Sequence, residues 1–265
     1  MATAPVVVGV DGSAAALLAV DHAVDEAQLR HRPLRVVHAD PFTDGLAVEP
    51  RQVVQDAVDR VAARSPVPVT SAIIPSHPAP VLLEESRTAA LLVLGYRGHG
   101  GLPGTVVSEA ACPVLVVRGT APAAGPVLVG VSGTGASDAA LDFAFEAAAL
   151  RGAALTALHA WTGPVWRGPG DMLPLVYDPA VVAEEAGRTL NEALVGWQAK
   201  YPDVAVTELL VPGHPGSALV AQTSGAGLVV VGAHGHRAVP GWLVGSVPHL
   251  LLHQAHCPVA VVPDA

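Results

Sequence analysis

Cysteine, methionine and lysine are nearly missing from this sequence: its 265 residues include two Cys, two Met and one Lys, at position 200. Two lone cysteines exclude a disulfide framework and cannot by themselves complete a four-ligand zinc site. Cys112 and Cys257 each stand just before a Pro-Val strand at equivalent positions, which suits small buried residues better than a bridge. Charged residues make up only 14%, and no basic cluster offsets the formal net charge of −9 (14 Lys plus Arg, 23 Asp plus Glu). A nucleic-acid partner is therefore not expected. No uncharged apolar run approaches the roughly 18 residues of a membrane helix, and MATAPVVVGV lacks a basic region followed by an apolar core and cleavage site. The expected compartment is the cytoplasm, with no membrane partner.

Aromatics are only 4% of residues, while hydrophobic residues reach 51%, so the core must be built mainly from Ala, Val and Leu. Val-rich runs suit strands covered on both faces, and Ala-rich stretches suit the helices that cover them. Strands are expected at residues 6–10, 34–39, 67–74 and 91–94, with helices at 14–30, 51–63 and 80–87 between them. Asp11-Gly12-Ser13 supplies a turn and a helix cap after the first strand. This alternation builds a parallel sheet flanked by helices, an α/β fold.

The order then repeats. VVVGVDGS at Val6 matches VLVGVSGT at Val127, and LRHRPLRVVHA at Leu29 matches LRGAALTALHA at Leu150, both at an offset of 121. His77-Pro78 matches His214-Pro215, and Gly95-x-x-Gly98 matches Gly232-x-x-Gly235, at 137; Cys112-Pro113-Val114 matches Cys257-Pro258-Val259 at 145. Two domains follow, residues 1–121 and 125–265, joined by the small-residue linker at 119–125. The second copy carries 16 extra residues before its His-Pro element, most of them expected in the Pro/Gly-rich stretch 162–179, and 8 more between its glycine loop and last strand.

The longest glycine loop runs from Gly232 through Gly235 and His236 to Gly245-Ser246, after the strand LVVVG and before an apolar helical run to Ala255. Glycines let the backbone approach a bound group, and the Gly245-Ser246 step opens a helix whose free N–H groups favour an anion. In open parallel sheets ligands collect at the carboxyl ends of strands where the winding reverses. If that point lies between the first and fourth strands of a copy, the loops after Val131 and Val231 share one crevice.

VGVDGS at Val8–Ser13, the stretch ALRGAALTALHAW at 149–161, G-x2-G-x9-G-S from Gly232 to Ser246, and the closing CPVLVV and CPVAVV are together similar to the universal stress proteins, in the tandem form common in actinobacteria. The resemblance covers nearly the whole chain. It implies two tandem doubly wound domains, each a five-stranded parallel sheet of order 3-2-1-4-5 flanked by helices. Their last strands would pair, giving an internal pseudo-dimer; a homodimer through those strands is a further arrangement. Many members bind ATP as a regulatory ligand, with adenine near the first-strand loop and the end of the second strand and phosphates on the glycine loop and Gly-Ser helix start. Other members bind no nucleotide.

By that resemblance the main nucleotide site is in the second copy, formed by Val131, Ser132, Gly133, Ala160, Gly232, Gly235, His236, Gly245, Ser246 and Val247. The ligand is ATP, with or without Mg²⁺. Ser132 stands where nucleotide-binding members place Asp and supplies no charge. Pro248 sits near the helix start, where it removes one orphan N–H. The first copy keeps Asp11 and offers a weaker second site at Val10, Asp11, Gly95 and Gly98, because its loop is 8 residues shorter and the Gly-Ser segment is missing. Counting back from Cys112 assigns Ser108-Glu109 to the middle of the helix.

His38 and His159 end the second strands, either beside the adenine or as packing residues. His249 and His253 share a helix face at i, i+4, but no acidic or Cys ligand accompanies them, so no metal is expected. No catalytic residue is expected either. Walker A is absent, and Ser132-Gly-Thr-Gly-Ala-Ser137 only faintly resembles the SGGxDS loop of ATP pyrophosphatases, lacking its second Gly and its Asp. The expectation is a non-enzyme with at most weak ATP hydrolysis. A nucleotide-free dimerisation or interaction module is the alternative, and an ATP-consuming enzyme of the pyrophosphatase type a weaker one.

Overall fold

Val6, Val7 and Val8 are consecutive and all fully buried, which a strand achieves only when both faces of its sheet are covered. A computed structural model describes residues 3–41, 50–96, 102–118, 125–133, 137–161, 179–233 and 245–264. The first copy runs β1 (Val6–Gly9), α1 (Ala14–Leu29), β2 (Leu34–Ala39), α2 (Pro50–Arg64), β3 (Val69–Ile74), α3 (Pro78–Ser86), β4 (Leu91–Gly95), α4 (Leu102–Glu109), β5 (Val114–Val117). The second runs β6 (Val127–Gly130), α5 (Asp138–Arg151), β7 (Leu155–Trp161), α6 (Pro179–Lys200), β8 (Val206–Pro212), α7 (Pro215–Gln222), β9 (Leu228–Gly232), α8 (Ser246–Gln254), β10 (Val259–Val262).

All strands join one ten-stranded sheet of order β3-β2-β1-β4-β5-β10-β9-β6-β7-β8. Each half has the expected order 3-2-1-4-5, parallel throughout. The halves meet where β10 runs antiparallel to β5, with Val259 opposite Val116 and Val261 opposite Val114. β5 also pairs with β4, and β10 with β9, so neither final strand keeps an edge for a second chain. The expected homodimer through the final strands is corrected here: the chain uses that pairing internally.

The sheet separates two cores. Val6 and Val8 point into one, with Ala19, Ala23, Leu141, Phe145, Leu190 and Leu194; Val7 points into the other, with Leu82, Val106, Leu219 and Leu251. Thus α1, α2, α5 and α6 cover one face and α3, α4, α7 and α8 the other. The two copies fasten their first helix pair differently. Arg60 and Arg64 of α2 bind Asp21 and Asp25 of α1, whereas Phe145 of α5 stacks with Trp197 of α6 and with Tyr201, just past its end, at centroid distances of 6.4 and 5.7 Å. On the other face the copies agree. Ser86 Oγ accepts from Ala111 N at 3.0 Å, and Thr223 Oγ1, its repeat equivalent, accepts from His256 N at 3.1 Å.

Two expectations about the copies change. The 16 extra residues are divided evenly, not placed mostly in the stretch 162–179: half precede the second helix, and the other half come from α6, with 22 residues against 15 in α2, and the turn after it. Ser108 and Glu109 are the last two residues of α4, not its middle. The short loop shifts the helix start to Leu102, so the whole helix lies earlier than counting from Gly98 implies. No helix among the described residues is long and apolar enough to cross a membrane.

Across the seam α1 faces α5. Glu26, 3% exposed, binds both Arg30 and Arg151, and Arg30 also reaches Glu146 and lies 4.7 Å over the Phe143 ring. Removing the buried carboxylate would leave two guanidinium groups without it. Glu26→Ala is expected to destabilise the chain by about 3–5 kcal/mol, measured by urea unfolding; a change near zero would show that the network contributes nothing.

Candidate functional site

Parallel pairing of β6 with β9, Val127 opposite Leu228 and Val129 opposite Val230, makes them neighbours although the paired residues are 101 positions apart in the chain. The chain leaves β6 toward α5 and leaves β9 toward α8, so this is the switch point of the second copy. Val131, Ser132 and Gly133 follow β6 directly. Val131 N donates to Leu158 O at 2.9 Å, and His159 Nδ1 donates to Val131 O at 2.8 Å. Because the carbonyl can only accept, Nδ1 carries the proton in this contact.

Gly133 has φ +77°, and a Cβ there would stand 2.4 Å from Thr189 Cγ2 and 3.4 Å from His159 Cε1. Backbone shape and the close approach of α6 therefore both require glycine. Ser132 N donates to Ser137 Oγ at 2.8 Å, and the two hydroxyls lie 2.6 Å apart. The Ser that replaces the usual Asp is thus held by a second Ser at the cap of α5, a partner that sequence reasoning missed. Ala160 lies one residue past His159 in β7, half-buried, opposite Val211 of β8.

On the β9 side, Gly245 N donates to Ala233 O at 3.2 Å. That bond fixes the start of α8 against the end of β9. α8 has Gly245 as cap with no side-chain cap bond and no acidic residue in its first turn. Unpaired N–H groups at a helix start favour an anion. Ser246 is exposed, Val247 half-buried, and Pro248 buried. The structure so places Val131, Ser132, Gly133 and Ala160 on one side of the crevice and Gly232, Gly245, Ser246 and Val247 on the other. Gly235 and His236 lie outside the described residues, as does Gly98 of the first copy.

The first copy repeats the frame with different chemistry. His38 Nδ1 donates to Val10 O at 2.8 Å, matching His159 and Val131. Asp11 Oδ1 accepts from Ser13 N at 3.0 Å, and Ser13 Oγ caps α1 by accepting from Ala16 N at 3.2 Å. Between the ends of β1 and β4 lies a cavity of about 200 Å³, small beside the roughly 300–1,000 Å³ of typical ligand pockets. Val10, Asp11, Gly95, Tyr96, Leu102 and Pro103 are on its wall. Three of these were named from sequence; Tyr96, Leu102 and Pro103 were not. The signal for Leu102-Pro103 was present, since the offset of 145 aligns them with Val247-Pro248. The same offset puts Gly100-Gly101 under Gly245-Ser246, so the 8 missing residues precede the helix start, and the Gly-Ser step is replaced rather than deleted.

Gly95 has a packing role of its own. A Cβ there would be 2.4 Å from Ala15 O in the first turn of α1. Burial raises the thiols of Cys112 and Cys257, to about 12 and about 11, so both stay protonated at neutral pH. Among the described residues no group of three or more His, Cys, Asp or Glu gathers into a metal cluster.

Compared with known proteins, residues 3–118 and 124–263 each match the model of the universal stress protein family. Universal stress protein Rv2005c of Mycobacterium tuberculosis is 38% identical, covering 97% of this chain and 96% of its own. Universal stress protein Rv2623 of the same organism is 35% identical, covering 98% and 96%. Among solved structures, a universal stress protein from Archaeoglobus fulgidus superposes with a TM-score of 0.67 at 15% identity, over 98% of this chain and 96% of that one. At that identity the likeness concerns the fold.

Gly95→Ala is expected to destabilise the protein by about 1–3 kcal/mol through overpacking against the α1 backbone. Ser246→Ala, at an exposed helix start, should change stability by less than about 0.5 kcal/mol. Thermal unfolding of both variants without nucleotide checks the pair; equal stabilities would remove the packing role of Gly95.

Proposed function

The chain belongs to the universal stress protein family, and from that premise we propose that it is a stress-response protein holding ATP as a regulatory ligand, mainly in its second copy. The observation that carries this reading is the Gly245 N–H bond to Ala233 O. It sets an α8 start without side-chain cap or acid at the crevice between β6 and β9. Phosphates would lie on the N–H groups around Gly235 and Gly245-Ser246. The ribose and base would lie toward Gly133 and Ala160, and Ser132 would offer a hydroxyl in place of a carboxylate. With no charged group from Ser132, the site is expected to bind less tightly than one that keeps the acid. No residue supplies a nucleophile or general base in this reading, so ATP is held rather than consumed. Mg²⁺ would accompany ATP through its phosphates, since Ser132 brings no ligand charge.

A second reading is favoured by Gly95 and Ser132. One is glycine because α1 requires it, and the other is already bonded to Ser137. If all the loop residues are explained this way, the protein is a nucleotide-free interaction module.

Calorimetry with ATP separates the two. The first reading expects saturable binding by the wild type, with about one site lost in Gly235→Ala. Binding that survives this change would place the nucleotide elsewhere, and no binding at all favours the second reading. Phosphate release is expected to equal a no-protein blank.

A further inference from the structure

The crevice leaves unused a cluster at the seam, along α8. His249 and His253 are one turn apart, both exposed, with ring centroids 4.7 Å apart. Tyr96, just past β4 of the other copy, places its hydroxyl 2.7 Å from His253 Nδ1, with the rings edge to face at 5.9 Å. Arg118, after β5, stands 4.9 Å over the Tyr96 ring and donates to the carbonyls of Leu251 and Leu252. The sequence gives no hint that Tyr96 and His253 meet, for they are 157 positions apart.

From this geometry we propose that His249 and His253 form a two-histidine site for a borderline divalent transition-metal ion of the zinc, nickel and copper class, oriented by Tyr96 across the seam. Imidazole suits such ions and not Mg²⁺. An ion about 2.1 Å from one nitrogen of each ring sets the ring centres roughly 4.5–5.5 Å apart at bond angles near 90–110°, and the observed separation falls in that interval. In the metal-bound form the His253 Nδ1–H would donate to the phenol oxygen, which leaves Nε2 as the ligating nitrogen. Metal-ligating histidines commonly have their other nitrogen fixed in this way. His253 is in the last turn of α8, where the helix dipole favours a cation. Arg118 is the one like charge facing the site among the described residues, and its guanidinium is turned to the helix carbonyls. Two protein ligands leave the remaining positions to water, so the affinity is modest and the site accessible.

The site rests on no nucleotide, and the test uses the full chain without a histidine tag and without ATP. Zinc titrated in a calorimeter should bind one ion per chain, while Mg²⁺ gives no heat. His249→Ala and His253→Ala should each weaken zinc binding at least about 10-fold, and the double variant little more than either. His77→Ala, at an exposed histidine elsewhere, should leave it unchanged. His253→Gln retains a hydrogen-bonding group for Tyr96 and so guards against a folding defect, checked by circular dichroism, yet should still lose the metal. Tyr96→Phe should weaken binding about 10-fold without abolishing it. No saturable zinc binding at about millimolar concentration, or binding that survives both histidine replacements, overturns the site. Unchanged affinity in Tyr96→Phe overturns the role of the phenol.

Discussion

Antiparallel pairing of β5 with β10 is the constraint on which the rest of the molecule depends. A five-stranded parallel sheet whose fifth strand ends in an unpaired row of N–H and C=O groups is open to association. Here each copy closes the other's edge. The strands that meet are VLVV and VAVV, fully or almost fully buried on both faces, and such strands tolerate no exposed edge. Once they pair, α1 and α5 are brought together on one face, where Glu26, Arg30, Glu146 and Arg151 form ion pairs. On the other face α8 comes to rest on Tyr96 and Arg118. The open edges of the continuous sheet are then β3 and β8, at its two far ends.

The two copies have kept the frame and exchanged the chemistry. Both hold the end of the first strand by a histidine at the end of the second, and both clamp the fourth helix of the unit with a hydroxyl. They differ where a ligand would sit. The first has a carboxylate, a short glycine loop and a small cavity beside Tyr96; the second has two serines, a long loop and an uncapped helix start. A duplicated fold can vary its crevices this way because the strands that carry them are fixed by burial, while the loops at their ends are not.

Much of the fold was legible because its signals are local or repeated. Val-rich strands alternating with Ala-rich helices announce a covered parallel sheet, and the offsets of 121, 137 and 145 align two copies without any structure. Boundaries were less legible. Pro50 and Pro179 open helices because proline suits a first turn, and the seven-residue extension of α6 is hidden in a stretch that looks like a loop. The site divided in the same way. Gly133 and the Gly245-Ser246 helix start follow from backbone rules. The Ser132–Ser137 bond depends on where α5 begins, and the contact between Tyr96 and His253 depends on the packing of one copy against the other. Side chains that meet across a seam leave no periodic trace in sequence.

Arg118 and Tyr96 belong to the first copy but serve the second, and the repeat offers no return. Their equivalents are Pro263 and Ala233, and the position matching His253 is Ser108. Duplication begins with halves that are interchangeable; here they have become directional, like a lock and its key cut from one blank. Drift in either half is now judged against a specific partner surface in the other. The chain can therefore neither revert to two copies of one half nor accept a half from a relative without also importing the residues that face it.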